Sequence, residues 1–182
     1  MAVRQAAAQT RERLIDAAVQ TIHAVGAANL TLDAVAKVAG VSKGGLLHHF
    51  PSKDALIEAV LRHFFVAFQR SVQQQYESEK STPGRWTRAY VRATFAEDLL
   101  PLELSTMLVS MLGENSILMA LMREDFAYWQ VRLLNDGLPP ARATIIRHAA
   151  DSYWVERLLQ VESENQPTRQ QLLDELLRLT EV

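Results

Sequence analysis

Residues 31–50 read TLDAVAKVAGVSKGGLLHHF, and the spacing of their side chains divides them into two short helices joined by a glycine turn. Leu32, Val35, Ala36 and Ala39 recur at i, i+3, i+4 and i+7, so four apolar side chains share one helix face. Thr31 stands at the N-cap, where a hydroxyl accepts from an orphan backbone N–H of the first turn. Gly40 follows the last periodic residue, as a left-handed terminator does, and Ser42 is placed to cap a second helix beginning at Lys43. In this second piece Val41, Leu46 and Phe50 point inward, leaving Lys43, Gly44, Leu47 and His48 on the outer face. That is a helix-turn-helix, and its outer residues are the ones that would meet DNA.

The flanks complete a three-helix unit. Upstream, Thr10 is placed to cap a helix running to about Val25, with Leu14, Ala18, Ile22 and Val25 as its buried stripe and Gly26 as its end; Met1 to Ala8 read as a mobile arm. Downstream, Pro51 cannot continue the preceding helix, and Ser52 with Asp54 opens a new one. Leu56, Val60, Phe64 and Phe68 recur along it with helical spacing until the polar SVQQQYESEK tract, long enough for a connector to the rest of the chain.

The run VSKGGLLHHFPSKDAL, preceded by TLDAVAKVAG, resembles the DNA-binding segment of the TetR family of bacterial transcriptional regulators. A Ser-Lys-Gly start, a His-Phe end and a Ser-Lys-Asp opening to the next helix carry the likeness, which covers roughly the first third of the chain. By this similarity Thr31, Ser42, His48, His49 and Lys53 match positions that hold the DNA backbone; Lys53 adds its charge to a helix N-terminus that already favours an anion. Base reading falls to Lys43, which can reach guanine O6 and N7, and to Gly44 and Gly45, which allow close approach to the groove floor. Leu47 departs from the family pattern, which usually has a phosphate-contacting tyrosine there; an apolar contact to a thymine methyl would replace it. The neighbours His48 and His49 point about 100° apart on a helix, so they do not make a metal site.

Beyond the connector the punctuation continues to be helical: breaks at Pro83-Gly84, Asp98 to Pro101, Gly113, Asn135-Asp136-Gly137, Pro139-Pro140 and Gln166-Pro167. The run LELSTMLVSML from Leu102 is apolar on most faces and reads as a buried helix. With no β-alternation of useful length, the class is all-α, about nine helices in total. The expected organisation is a DNA-binding domain over residues 1–51 and a ligand-binding and dimerisation domain over 52–182, with 52–78 as the connector helix.

In the final helix Leu172, Leu173, Leu176, Leu177 and Leu179 make a stripe too rich for a surface, and in the penultimate one Ile145, Ala149, Ser152 and Leu159 recur on a face with small residues. The resemblance implies that these two helices and their symmetry mates form a four-helix homodimer interface. It also implies an inducer pocket in the aromatic and methionine-rich region. Trp86, Tyr90, Phe95, Met107, Met111, Phe126, Trp129, Asp151 and Trp154 are the candidate ligand residues, with Asp151 or Glu114 to balance a positive charge.

Composition bounds the function classes. Without cysteine there is no disulfide framework or thiolate metal site, and a reducing cytoplasm suits the chain. The apolar runs fall short of the ~18 residues of a membrane helix, and the N-terminus lacks the apolar core of a signal peptide. The net charge of −2 is unevenly spread: residues 1–70 hold eight Lys/Arg against five Asp/Glu and four of the five histidines. No glycine-rich phosphate loop, nucleophile elbow or paired-carboxylate spacing suggests an enzyme or a cofactor. The expected function is therefore a cytoplasmic, dimeric, sequence-specific regulator. The family's usual mode makes it a repressor that a hydrophobic or cationic small-molecule inducer releases from a palindromic operator in double-stranded DNA. The alternative is a ligand-independent DNA-binding or architectural protein, marked by a steep salt slope and weak sequence preference.

Overall fold

The structure is a computed structural model that describes residues 2–26, 29–96, 116–159, 161 and 167–181. Among these residues there are eight helices and no strand: α1 (Ala2–Val25), α2 (Leu32–Ala39), α3 (Lys43–His49), α4 (Lys53–Ser78), α5 (Arg85–Thr94), α6 (Ser116–Leu134), α7 (Pro140–Leu159) and α8 (Arg169–Arg178). The helix expected from Leu102, with Met107, Met111 and Glu114, lies outside the described residues. None of the described helices is long and apolar enough to cross a membrane.

The chain divides into two compact units, one running through Phe64 and the other from Phe65 to Leu99 and from Ala120 onward. In the first, Leu14, Ile15, Ala18 and Ile22 of α1 are buried with Leu30, Val35, Ala36, Leu46, Phe50, Leu56 and Val60. Three expectations for α1 are corrected. The helix begins at Ala2, so the segment before Thr10 belongs to it; the AAA run at 6–8 favours helix strongly, and no Gly or Pro interrupts it. Thr10 is no cap, since its hydroxyl donates to the Ala6 carbonyl at 3.0 Å. Val25 is 48% exposed, because the chain turns away at Gly26, whose φ is +75°.

The second unit is built around Trp129, Phe95, Tyr90, Leu133, Ile146 and Leu176, all buried. Its turn at Asn135-Asp136-Gly137 does more than end α6. The Asp136 carboxylate accepts from the backbone N–H groups of Trp86 at 2.9 Å and Thr87 at 2.7 Å, so a residue about fifty positions away caps α5 and meets the positive end of its dipole. The two C-terminal helices differ in what they offer. On α8, Leu176 is buried and Leu172, Leu173, Leu177 and Leu179 pack against the unit's own core. On α7, Ile145, Ala149, Ser152, Val155 and Leu159 are exposed, with Ile145 at 62%.

Candidate nucleic-acid interface

The reading head is held by a chain of local caps. Thr31, in extended backbone, accepts from Ala34 N–H at 3.2 Å and starts α2. Gly40 ends it at φ +67°, and the Val41 and Gly40 N–H groups close back on the Ala36 and Lys37 carbonyls at 3.0 and 3.2 Å. Ser42 Oγ accepts from Gly45 N–H at 3.1 Å and starts α3; Ser52 Oγ accepts from Ala55 N–H at 3.1 Å and starts α4. Thr31 and Ser42 spend acceptor capacity on these caps, and each hydroxyl keeps its hydrogen as a donor.

Packing fixes which side of α3 faces out. Leu46 is fully buried and Phe50 nearly so, the latter with the Arg11 guanidinium 5.1 Å from its ring centre. Lys43, Gly44, Gly45, Leu47 and His48 are exposed, while His49 and Lys53 are half-buried. The rings of His48 and His49 meet edge to face, 5.5 Å apart at 76°. The two glycines have different surroundings. A Cβ on Gly45 would stand 3.3 Å from Ser42 Oγ, a tight contact, whereas one on Gly44 would meet nothing within 4 Å. No neighbour inside the protein excludes a side chain at Gly44, which leaves its bare backbone on the outer surface. Asp33, which sequence reasoning did not single out, binds Lys43 Nζ at 2.8 Å across the turn.

Of the candidate ligand residues, the structure brings Tyr90, Trp129, Phe126 and Asp151 into one cluster. The rings of Phe68, Tyr90 and Trp129 meet edge to face at 5.3–5.5 Å. Tyr90 donates its hydroxyl to Asp151 Oδ1 at 2.6 Å. Burial, then the Asp151 charge, pushes the Tyr90 hydroxyl well above its ordinary range.

The centre of the cluster is Arg147, which is 2% exposed. It donates to the Phe126 carbonyl at 3.1 Å and to Gln130 Oε1 at 2.8 Å, lies 3.3 Å from Asp151 Oδ2 through Nε, and covers the Phe126 ring at 3.7 Å. Burial raises the Asp151 carboxyl against the opposing pull of Tyr90 and Arg147. Asp125 accepts a long bond from Gln69 at 3.5 Å, and burial raises its carboxyl to about 6.

Trp86 stacks instead on Tyr76 at 4.0 Å, Phe95 stacks on Tyr153 at 4.3 Å, and Trp154 is half-buried. A cleft of about 820 Å³ opens elsewhere in this unit, with Glu79, Lys80, Arg88, Arg92, Leu177 and Thr180 in its walls, and includes none of the candidate ligand residues. Glu79 there is tied to both arginines, which outweigh the effect of burial and hold its carboxyl below the ordinary value. Sequence reasoning missed Arg147 and Asp125. The signal for Arg147 was its place on the buried Ala143–Ile146–Ala150 face of α7, one turn before Asp151.

Comparison with known proteins places the whole arrangement. Residues 14–60 match the profile of bacterial regulatory proteins of the tetR family, and residues 84–181 match the tetracyclin repressor-like C-terminal domain. The HTH-type transcriptional regulator BetI of Paraburkholderia phytofirmans is 38% identical over 85 residues, which are 47% of this chain and 44% of that protein. The match thus spans less than half the length of that relative. Among solved structures, a TetR-family member from Streptomyces coelicolor A3 superposes with a TM-score of 0.70 at 24% identity, covering 95% of this chain and 99% of that one. The multidrug binding protein EbrR, complexed with imidazole, superposes with a TM-score of 0.64 at 25% identity, covering 94% and 95%. With head and C-terminal part both matched, the chain belongs to the TetR family of bacterial transcriptional regulators, DNA-binding proteins and not enzymes.

Proposed function

We propose that the protein is a homodimeric repressor that binds a palindromic operator and leaves it when a hydrophobic or cationic small molecule enters the C-terminal part. The observation that carries the reading is the outer face of α3: Lys43, Gly44, Leu47 and His48 exposed on a helix held from behind by Leu46 and Phe50. In this reading Thr31, Ser42, His48, His49 and Lys53 hold phosphates, and Lys43, Gly44, Gly45 and Leu47 meet base edges. Residues 1–51 form the head, 52–78 the connector and 52–182 the domain that senses ligand and dimerises, in the cytoplasm.

The open line on α7, Ile145, Ala149, Ser152, Val155 and Leu159, supports pairing with a second copy. With the α8 leucines packed on their own core, α7 offers the larger apolar share of a face made by the last two helices. The cluster of Tyr90, Phe126, Trp129, Asp125 and Asp151 supports a ligand with an aromatic or cationic part, as does the imidazole complex of EbrR. Ligand and DNA then compete through a population shift: each binds a different setting of the connector, so each weakens the other by the same factor.

Selection of tight binders from random duplex DNA by the purified protein, at near-physiological salt, tests this. A palindrome with half-sites about one helical turn or a small multiple apart is the expected result. No consensus, with affinity that collapses with salt on every fragment, would overturn it in favour of an architectural role.

A further inference from the structure

Asp33 is the only carboxylate in residues 31–53, and it takes the only Lys or Arg side chain of α3. In the first turn of α2 the Asp33 carboxylate meets the positive end of that helix, yet toward a polyanion it is electrostatically adverse, and the packing does not fix it there: the Asp33 and Lys43 side chains are 67% and 55% exposed. Asp33 is the second residue of α2 and Lys43 the first of α3, so their 2.8 Å bond bridges the two helices at the mouth of the turn.

We propose that Asp33 is a specificity-determining residue, which withholds the Lys43 ammonium from phosphates and makes with it one donor–acceptor unit for a G·C base pair. This rests on the reading of the protein as a sequence-specific DNA binder. A free ammonium is drawn to every phosphate whatever the sequence, and that attraction feeds non-specific binding. Paired, it carries little net charge. An ammonium has three donors, so two remain for guanine O6 and N7 while one stays on Asp33; the carboxylate keeps Oδ1 to accept from the cytosine amino group. A phosphate satisfies only the lysine and is repelled by the aspartate. A G·C edge satisfies both.

The test uses the full chain and two duplexes of equal length, one carrying the selected site and one scrambled, over a range of salt. D33N should bind the scrambled duplex about three- to tenfold more tightly with a salt slope steeper by about one, and gain less or lose on the selected site. A repeated selection with D33A, which removes the acceptor as well as the charge, should lose one G·C position from the consensus. In a K43Q background D33N should leave the ratio of the two affinities unmoved. Equal strengthening on both duplexes, no change on either, or the same change of ratio with K43Q would overturn the proposal. D33S serves as a second replacement, and thermal unfolding of each variant confirms an intact head. Wild type without a preferred site would defeat the regulator reading itself, and is seen before any variant is made.

Discussion

The head and the C-terminal unit are both helical, yet they are specified on different length scales. From Thr31 to Phe50 the starts and stops of the helices are set by near neighbours, a hydroxyl three positions before the N–H it caps and a glycine at the left-handed position, while α1 adds Arg13 on the Ala39 carbonyl at 2.8 Å. In the second unit the decisive contacts join distant helices. Asp136 caps α5 from the far end of α6, and Arg147 of α7 binds the Phe126 carbonyl of α6.

The contrast can be broken most forcefully in the second unit. Trp129, 1% exposed and in ring contact with Phe68, Tyr90 and Tyr128, should cost about 3–5 kcal/mol on replacement by alanine, read by denaturant unfolding. A loss below about 1 kcal/mol would mean that the unit does not depend on that packing. In the head Gly40 offers a purely backbone effect, at φ +67°. No neighbour lies within 4 Å of an added Cβ, so Gly40→Ala should cost only the left-handed strain, about 1–2 kcal/mol, in the same measurement.

Asp125 sharpens the comparison through pH. Its carboxyl, ordinarily at 3.8, stands at about 6 in the folded chain, so between these values the folded state holds a proton that the unfolded state has released. Stability from this group is therefore highest below pH 4, falls as pH rises to about 6, and stays reduced above. Asp125→Asn should raise stability at pH 7.5 by about 1–2 kcal/mol, allowing for solvent screening of a partly exposed group, and flatten the fall between pH 4 and 6. Urea unfolding of both forms across that range reads the difference; parallel curves would show that the carboxyl is not so placed. The smallest effect expected is Thr31→Ala, about 1 kcal/mol for one cap in thermal unfolding.

The legibility of the sequence follows the same division. The Leu32–Ala39 periodicity, the Gly40 stop and the Ser42 cap could be read directly because each involves neighbours. The start of α1 was misread because Thr10 before an apolar stripe has the pattern of a cap, while the helix propensity of the preceding alanines prevailed. The α8 leucines illustrate a deeper ambiguity: a stripe that faces a partner and one that closes its own core are written alike, and only the packing showed them on the core. Asp33 and Lys43 stand ten positions apart on different helices, with nothing in their spacing to mark them as a pair. Arg147 and Asp125 stand far along the chain from the groups that hold them, Phe126 and Gln130 for the first and Gln69 for the second, and only the apolar neighbours of Arg147 on its own helix hint at its burial.

The outer face of α3 as a reader of sequence is the central claim, and the ratio of affinities for a selected duplex and a scrambled one of the same length tests it most directly. At near-physiological salt the ratio should be at least about 10³, and Leu47→Ala, which removes an exposed apolar contact without touching the core, should lower it while leaving the salt slope unchanged. A ratio near one, with both affinities falling together as salt is raised, would contradict it.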